Sequence, residues 1–182
     1  MEAEHREKAK LRTALRGFCD PETARAVTDA ADLPTTADDI KKAVWVKSVC
    51  AELEKRFAPE TIREIRRLCH CDEEGQMAKM KSWLKGLFRE SSGLEEFVDR
   101  VNAAGAGWYL RDGEIYTKFL GCECHMLGAV DRLDSKTWCQ CTVGYTEELF
   151  THVFDCPVEG ELLQTIKMGH EFCVVKIRRL DR

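Results

Sequence analysis

Ala103-Ala-Gly-Ala-Gly107-Trp-Tyr-Leu-Arg-Asp112-Gly113-Glu-Ile-Tyr-Thr-Lys-Phe-Leu120-Gly-Cys122-Glu-Cys124 is the stretch at which the chain changes character. Before it, apolar residues recur at spacings of three and four, as on one face of a helix; after it they fall in short runs between turn residues. The Ala/Gly run ends the helical part and acts as a hinge. Trp108 to Leu110 and Ile115 to Leu120 flank Arg111-Asp-Gly113, and Asp-Gly accepts the positive φ that a tight hairpin turn requires. This predicts an α+β fold in one domain spanning 1–182. A helical half (1–106) packs on the antiparallel sheet of a cysteine-rich half (107–182), with one long helix inserted in the sheet.

Upstream, the periodicity predicts helices over 4–18 and 21–31, the second opening on Pro21, where a missing N–H costs nothing. Thr36 and Asp39 are spaced as a cap. Ile40, Val44, Val46, Val49, Cys50, Leu53 and Phe57 then trace a broad stripe. Pro59 opens a helix that buries Ile62, Ile65 and Leu68 and delivers Cys69-His70-Cys71 at its end. Met77, Met80, Trp83, Leu84, Leu87 and Phe88 form the next face, and Ser92 with Glu95 reads as a capping box before Leu94 to Val101. Met77 and Met80 have the thioethers for copper(I), but Met and Trp at helical spacing are ordinary core.

Downstream, the second hairpin strand runs on into Cys122-Glu-Cys124. Thr137-Trp-Cys-Gln-Cys141 reads as a short strand and Gly144 to Phe154 as the inserted helix. Glu161 to Met168 and Glu171 to Ile177 form a last hairpin around Gly169-His170, glycine first as in a type II′ turn.

At 182 residues, with 28 basic against 32 acidic residues and a net charge of -4, the chain is long enough for a sizeable core and has no basic stripe for nucleic acid. The N-terminus lacks the apolar core of a signal peptide, and no run approaches the roughly 20 apolar residues of a membrane span. Ten cysteines in a chain of this kind point to a cytoplasmic protein whose thiols bind metal or do chemistry rather than form a disulfide framework. Cys50 and Cys173 sit in apolar patterns and read as core; Cys19 and Cys156 have no spacing partner.

Three C-x-C pairs remain: Cys69/Cys71, Cys122/Cys124 and Cys139/Cys141. On a strand, residues i and i+2 share a face, so two such strands would present four sulfurs. That is a soft-metal arrangement, zinc above all, with Cys122, Cys124, Cys139 and Cys141 as ligands and Cys69 and Cys71 as further contributors. Sulfurs on a flat strand lie roughly 6 to 7 Å apart, so a kink is needed, for which Gly121 is placed. The competing reading is a nucleophile, Cys141 or Cys139, near a helix N-terminus that favours thiolate. His125, His70 and His152 are the candidate bases, and His125 is nearest to the sulfurs in sequence. A third reading is a C-x-C pair that closes into a strained, reducible disulfide.

Cys122-Glu-Cys124, Trp138-Cys-Gln-Cys141-Thr-Val-Gly-Tyr145, Pro157-Val158, Glu161-Leu-Leu-Gln-Thr-Ile166 and Gly169-His-Glu-Phe-Cys173-Val together resemble a bacterial cysteine-rich family. That family is similar to the 4-vinyl-reductase-type ligand-binding domains and to the L-2-amino-thiazoline-4-carboxylic acid hydrolase-like proteins. The resemblance covers about residues 108 to 177; Gly169, Cys173 and Val175 match its final hairpin signature, and His170 replaces the usual acidic residue. It implies helices on an antiparallel sheet around a small-molecule or metal pocket, and a hydrolase activity; a cysteine-lined pocket that binds zinc or another soft metal suits a sensor or accessory protein.

Overall fold

The computed structural model describes residues 4–70 and 75–180. Cys71, one of the expected metal ligands, lies outside the described residues. The fold is α+β: the described residues form seven α-helices and one four-stranded antiparallel sheet in the order β1-β2-β4-β3. No helix among the described residues is long and apolar enough to cross a membrane. The chain forms two compact units, each drawn from three stretches of sequence.

The first unit takes the residues up to Cys69, Cys122–Cys141 and Lys167–Gly169. Its helices are α1 (Arg6–Leu15), α2 (Pro21–Thr28), α3 (Asp39–Arg56) and α4 (Pro59–Arg67). Helix α2 starts where the sequence places it, with Pro21 at the first position and Asp20 accepting the N–H groups of Glu22 and Thr23, both at 2.9 Å. Helix α3 starts on a different cap from the one expected: Asp38, rather than Thr36, takes the Lys41 N–H at 2.8 Å. Its buried face is rotated as well. Ala43, Trp45, Val46, Val49, Cys50 and Leu53 are buried, while Ile40 and Val44 are exposed. Trp45 decides the rotation, because its large ring is worth more buried than either aliphatic chain, and its Nε1–H reaches the Thr28 carbonyl at 2.9 Å.

The Cys122–Cys141 stretch closes over these helices with Met126, Leu127, Val130, Leu133 and Trp138, all buried. Its backbone is irregular and is tied down by Lys167. The Lys167 ammonium donates to the carbonyls of Leu127 (3.1 Å) and Val130 (2.6 Å), and the Lys167 carbonyl accepts the Leu133 N–H at 2.6 Å.

The second unit holds α5 (Gln76–Arg89), α6 (Leu94–Ala103), α7 (Cys141–Phe154, from Thr142 onward) and the sheet. Strands β1 (Tyr109–Arg111) and β2 (Glu114–Phe119) form the expected hairpin, with Asp112 at φ 53° and Gly113 at φ 76°. Tyr109 faces Tyr116 and Arg111 faces Glu114 across it, which leaves the two-residue turn that a mirror-image type I geometry needs. The expected capping box at the start of helix α6 does not form: Gly93 is the cap residue and makes no side-chain bond, and Ser92 donates both its N–H and its hydroxyl to Glu96 rather than Glu95. Strand β3 (Val158–Gln164) pairs with β4 (Cys173–Arg179), which lies between β2 and β3. An aromatic cluster of Phe88, Phe97, Trp108, Phe150 and Phe154, mostly edge to face at 4.9 to 6.4 Å between centroids, fills the space beneath the sheet.

Three local expectations are corrected. Thr137 to Cys141 is not a strand: Trp138–Gln140 is a single 3-10 turn that runs straight into α7. Strand β2 ends at Phe119, so Cys122 and Cys124 lie beyond it in irregular chain. The β3–β4 connection is not a two-residue turn at Gly169-His170 but runs over 165–172 and contains a 3-10 turn, Ile166–Met168. Gly169 does have the positive φ that was expected, 92°, but within that longer loop.

Candidate functional site

Helix α4 places an arginine where its sequence pattern calls for a hydrophobe. Ile62, Ile65 and Arg66 stand at i, i+3 and i+4 and are all buried, Arg66 at 1% exposure. A guanidinium keeps its charge at any accessible pH, so burial has to be offset by partners. Its Nε and Nη2 donate to the Trp138 carbonyl at 3.3 and 3.0 Å, and its plane lies over the Trp138 ring at 3.9 Å from the centroid. Burial alone would lower the Arg66 pKa, but Cys69, Cys141, Cys50 and Glu7 act against it and the balance lies above the ordinary value.

Glu7 is the carboxylate of this cluster. It occupies the α1 stripe Glu7, Leu11, Ala14 and Leu15, and is 3% exposed. Its Oε1 pairs with the Lys10 ammonium at 3.0 Å and lies 3.9 Å from His125 Nε2.

The expected sulfurs meet this cluster unequally. Cys69 is 1% exposed and its thiol donates to the Ile65 carbonyl at 3.4 Å. Burial pushes its pKa up, against the pull of Arg66. Cys50, on α3, is pushed up to about 12 by burial, again against Arg66. Cys141 is half-buried and is the first residue of α7, with Arg66 within electrostatic reach. Cys139, in the 3-10 turn, and Cys124 are half-buried and pack against the hydrophobic core that contains Cys50 and Cys69. Cys122 is exposed.

Because neither pair lies on a strand, the paired-sulfur face drawn from C-x-C alternation does not form. Among the described residues, no group of three or more His, Cys, Asp or Glu side chains is arranged to hold a metal ion. The histidines have different partners. His125 stands by Glu7, whereas His70 belongs to the second unit and pairs with Glu148 at 3.0 Å, next to the Lys81–Glu148 bridge at 2.6 Å. His152 is exposed on α7. A shallow open groove over Ala26, Ala30, Ser48, Ala51, Glu52 and Arg56 has no cysteine or histidine in its walls.

Arg66 and Glu7 were not among the expected site residues. Their signal is a charged residue at a position where the helical period demands an apolar one.

A family model described as a family of unknown function (DUF6144) matches residues 3–182, and the chain belongs to that family. No curated protein and no solved structure matches it.

Proposed function

We propose that the protein works through one reactive thiol, Cys141, as the nucleophile of a cysteine-dependent reaction on an electrophilic small molecule. What supports this reading is the Arg66 cluster. Of the three thiols that act on the buried guanidinium, Cys50 and Cys69 are buried and raised, while Cys141 is half-buried at the start of a 14-residue helix. A positive neighbour and a helix N-terminus both favour thiolate over thiol. In a hydrolysis of the kind the family resemblance implies, the thiolate adds to a carbonyl carbon and the leaving group departs with a proton. Water then releases the acyl product and regenerates the thiol. His125, held beside Glu7, is the candidate for the proton transfers.

A second reading has support of its own: Cys124 and Cys139 pack on the core that contains Cys50 and Cys69, which gathers sulfur in the first unit. On that reading Cys122, Cys124, Cys139 and Cys141 take up zinc or another soft metal with Cys69.

Alkylation of the untagged protein with iodoacetamide, with the modified sites mapped and the metal content measured, separates the two. The nucleophile reading expects Cys141 to react first and Cys50 and Cys69 to stay protected. Cys141→Ser then removes the fast phase with little change in melting temperature. A fast phase that survives Cys141→Ser sinks the nucleophile reading. About one zinc per chain, with four or more thiols unmasked only after chelation, establishes the metal reading in its place.

A further inference from the structure

Helix α1 begins on a histidine. His5 is in extended conformation, its carbonyl accepts the Ala9 N–H at 3.0 Å, and its Nδ1 accepts the Glu7 N–H at 3.2 Å. The usual capping residues offer oxygens that stay acceptors throughout the neutral range. An imidazole offers an acceptor only while that nitrogen is unprotonated. Protonation therefore removes the cap and also sets a positive charge against the positive end of the helix dipole.

The turn held in this way carries Glu7, the buried carboxylate that acts on Arg66 and Cys69. The groups facing His5 are Glu7 on its own helix, His125 from the Cys122–Cys141 stretch and Lys42 on α3. Lys42 is itself paired with Asp39 at 3.0 Å.

We propose that His5 is an acid-sensitive latch that regulates the Cys141 site: protonation uncaps α1, lets Glu7 reach water and leaves Arg66 to act on the Cys141 sulfur without that carboxylate beside it. The inference rests on the thiol reading above. Burial, with His125 and Lys42, holds His5 below its usual 6.5, against the opposite pull of Glu7. The cap therefore contributes in full above that value and is withdrawn as pH falls through the lowered one.

The test compares the full chain with His5→Asn, which keeps a cap that does not titrate, and His5→Ala, which has none. Two quantities are read on either side of the His5 titration. One is amide-exchange protection of Glu7 and Ala9; the other is the alkylation rate of Cys141 relative to a free thiol at the same pH. The full chain should lose first-turn protection by about fivefold on acidification, the typical worth of a cap, while the relative rate of Cys141 rises. His5→Asn should stay flat in both, and His5→Ala should resemble the acid form at both pH values. An unchanged acid response in His5→Asn overturns the latch, as does a flat response in the full chain. Protection that follows His5 while a fast Cys141 ignores it overturns the regulation alone. If Cys141 is never faster than a free thiol, the thiol reading fails and the regulation with it, and the protection data still decide the uncapping.

Discussion

The first unit buries a guanidinium, Arg66, among a carbonyl, an indole face, a carboxylate and three thiols. The second buries a carboxylate, Glu147, whose Oε1 accepts the Gly160 N–H at 2.7 Å. Both charges sit on an apolar stripe of a helix, and both are less than a tenth exposed. What differs is what each charge acts on. Glu147 satisfies a backbone donor that points outward from β3, so it fixes the helix against the strand and closes part of a sheet edge. Arg66 also satisfies a backbone group, the Trp138 carbonyl, and in addition lies within electrostatic reach of sulfur, a group whose protonation state and reactivity respond to a positive neighbour. Both buried groups secure backbone, and Arg66 in addition stands among thiols.

Arg66→Met should break this contrast with the largest effect. It strands the Trp138 carbonyl and takes away the cation that Glu7 faces, so unfolding in urea should show a loss of about 3 kcal/mol or more. Arg66→Lys keeps the charge but loses the stacked, two-nitrogen contact, and should recover only part of the loss. A fully stable Arg66→Met protein would mean that the guanidinium is held by nothing that matters, and the contrast would fall.

The matching change in the second unit is smaller and turns on close approach. A Cβ built on Gly160 would lie 3.0 Å from Val143 Cγ1 and 3.2 Å from Glu147 Cγ. Gly160→Ala should therefore cost about 1 to 3 kcal/mol through overpacking and displacement of the Glu147 carboxylate. Gly86, inside α5 with nothing within 4 Å of the added carbon, is the control. Gly86→Ala should stabilise by up to about 1 kcal/mol, because alanine loses less backbone entropy in a helix. Equal effects at the two positions in thermal melts would contradict the account of Gly160.

The elements that could be read from sequence are those specified by local chemistry. Asp112-Gly113 fixes its hairpin because it supplies both positive-φ residues, and Pro21 with Asp20 fixes the start of α2. Thr137 to Cys141 was illegible because five residues are too few to separate a period of two from the first turn of a helix. The three-residue spacing of Trp138 and Cys141 was the better guide. Gly169-His170 misled for a different reason. The residues that keep 165–172 from tightening into a two-residue turn are Leu127, Val130 and Leu133, which hold Lys167 from more than thirty positions away. Arg66 and Glu7 belong to no recurring motif of residue types. A buried charge announces itself only as a fault in the apolar period.

The mildest test lies on the surface of the second unit, where hydrogen bonds rather than burial hold a carboxylate. Glu96 accepts the Ser92 N–H at 2.8 Å and the Ser92 hydroxyl at 2.7 Å, and Arg100 Nε and Nη2 reach its other oxygen at 2.9 and 2.8 Å. All of these favour the ionised form. The Ser92 backbone N–H acts most strongly, followed by its hydroxyl and Arg100, and together they hold Glu96 at about 2 against an ordinary value of 4.5. A carboxylate depressed in the folded state stabilises above its unfolded value, so what the Ser92 and Arg100 bonds to Glu96 contribute is intact at neutral pH and is lost as pH falls from 4.5 toward 2. A carbon-13 titration of the Glu carboxyls should find Glu96 as a resonance still ionised after ordinary glutamates have protonated. Ser92→Ala removes one of the two serine bonds and should move that midpoint upward while leaving the Cys141 alkylation rate unchanged. A midpoint near 4.5 in the unmodified chain would mean that the Ser92–Glu96 bonds do not persist in solution, and the turn before α6 would then rest on packing alone.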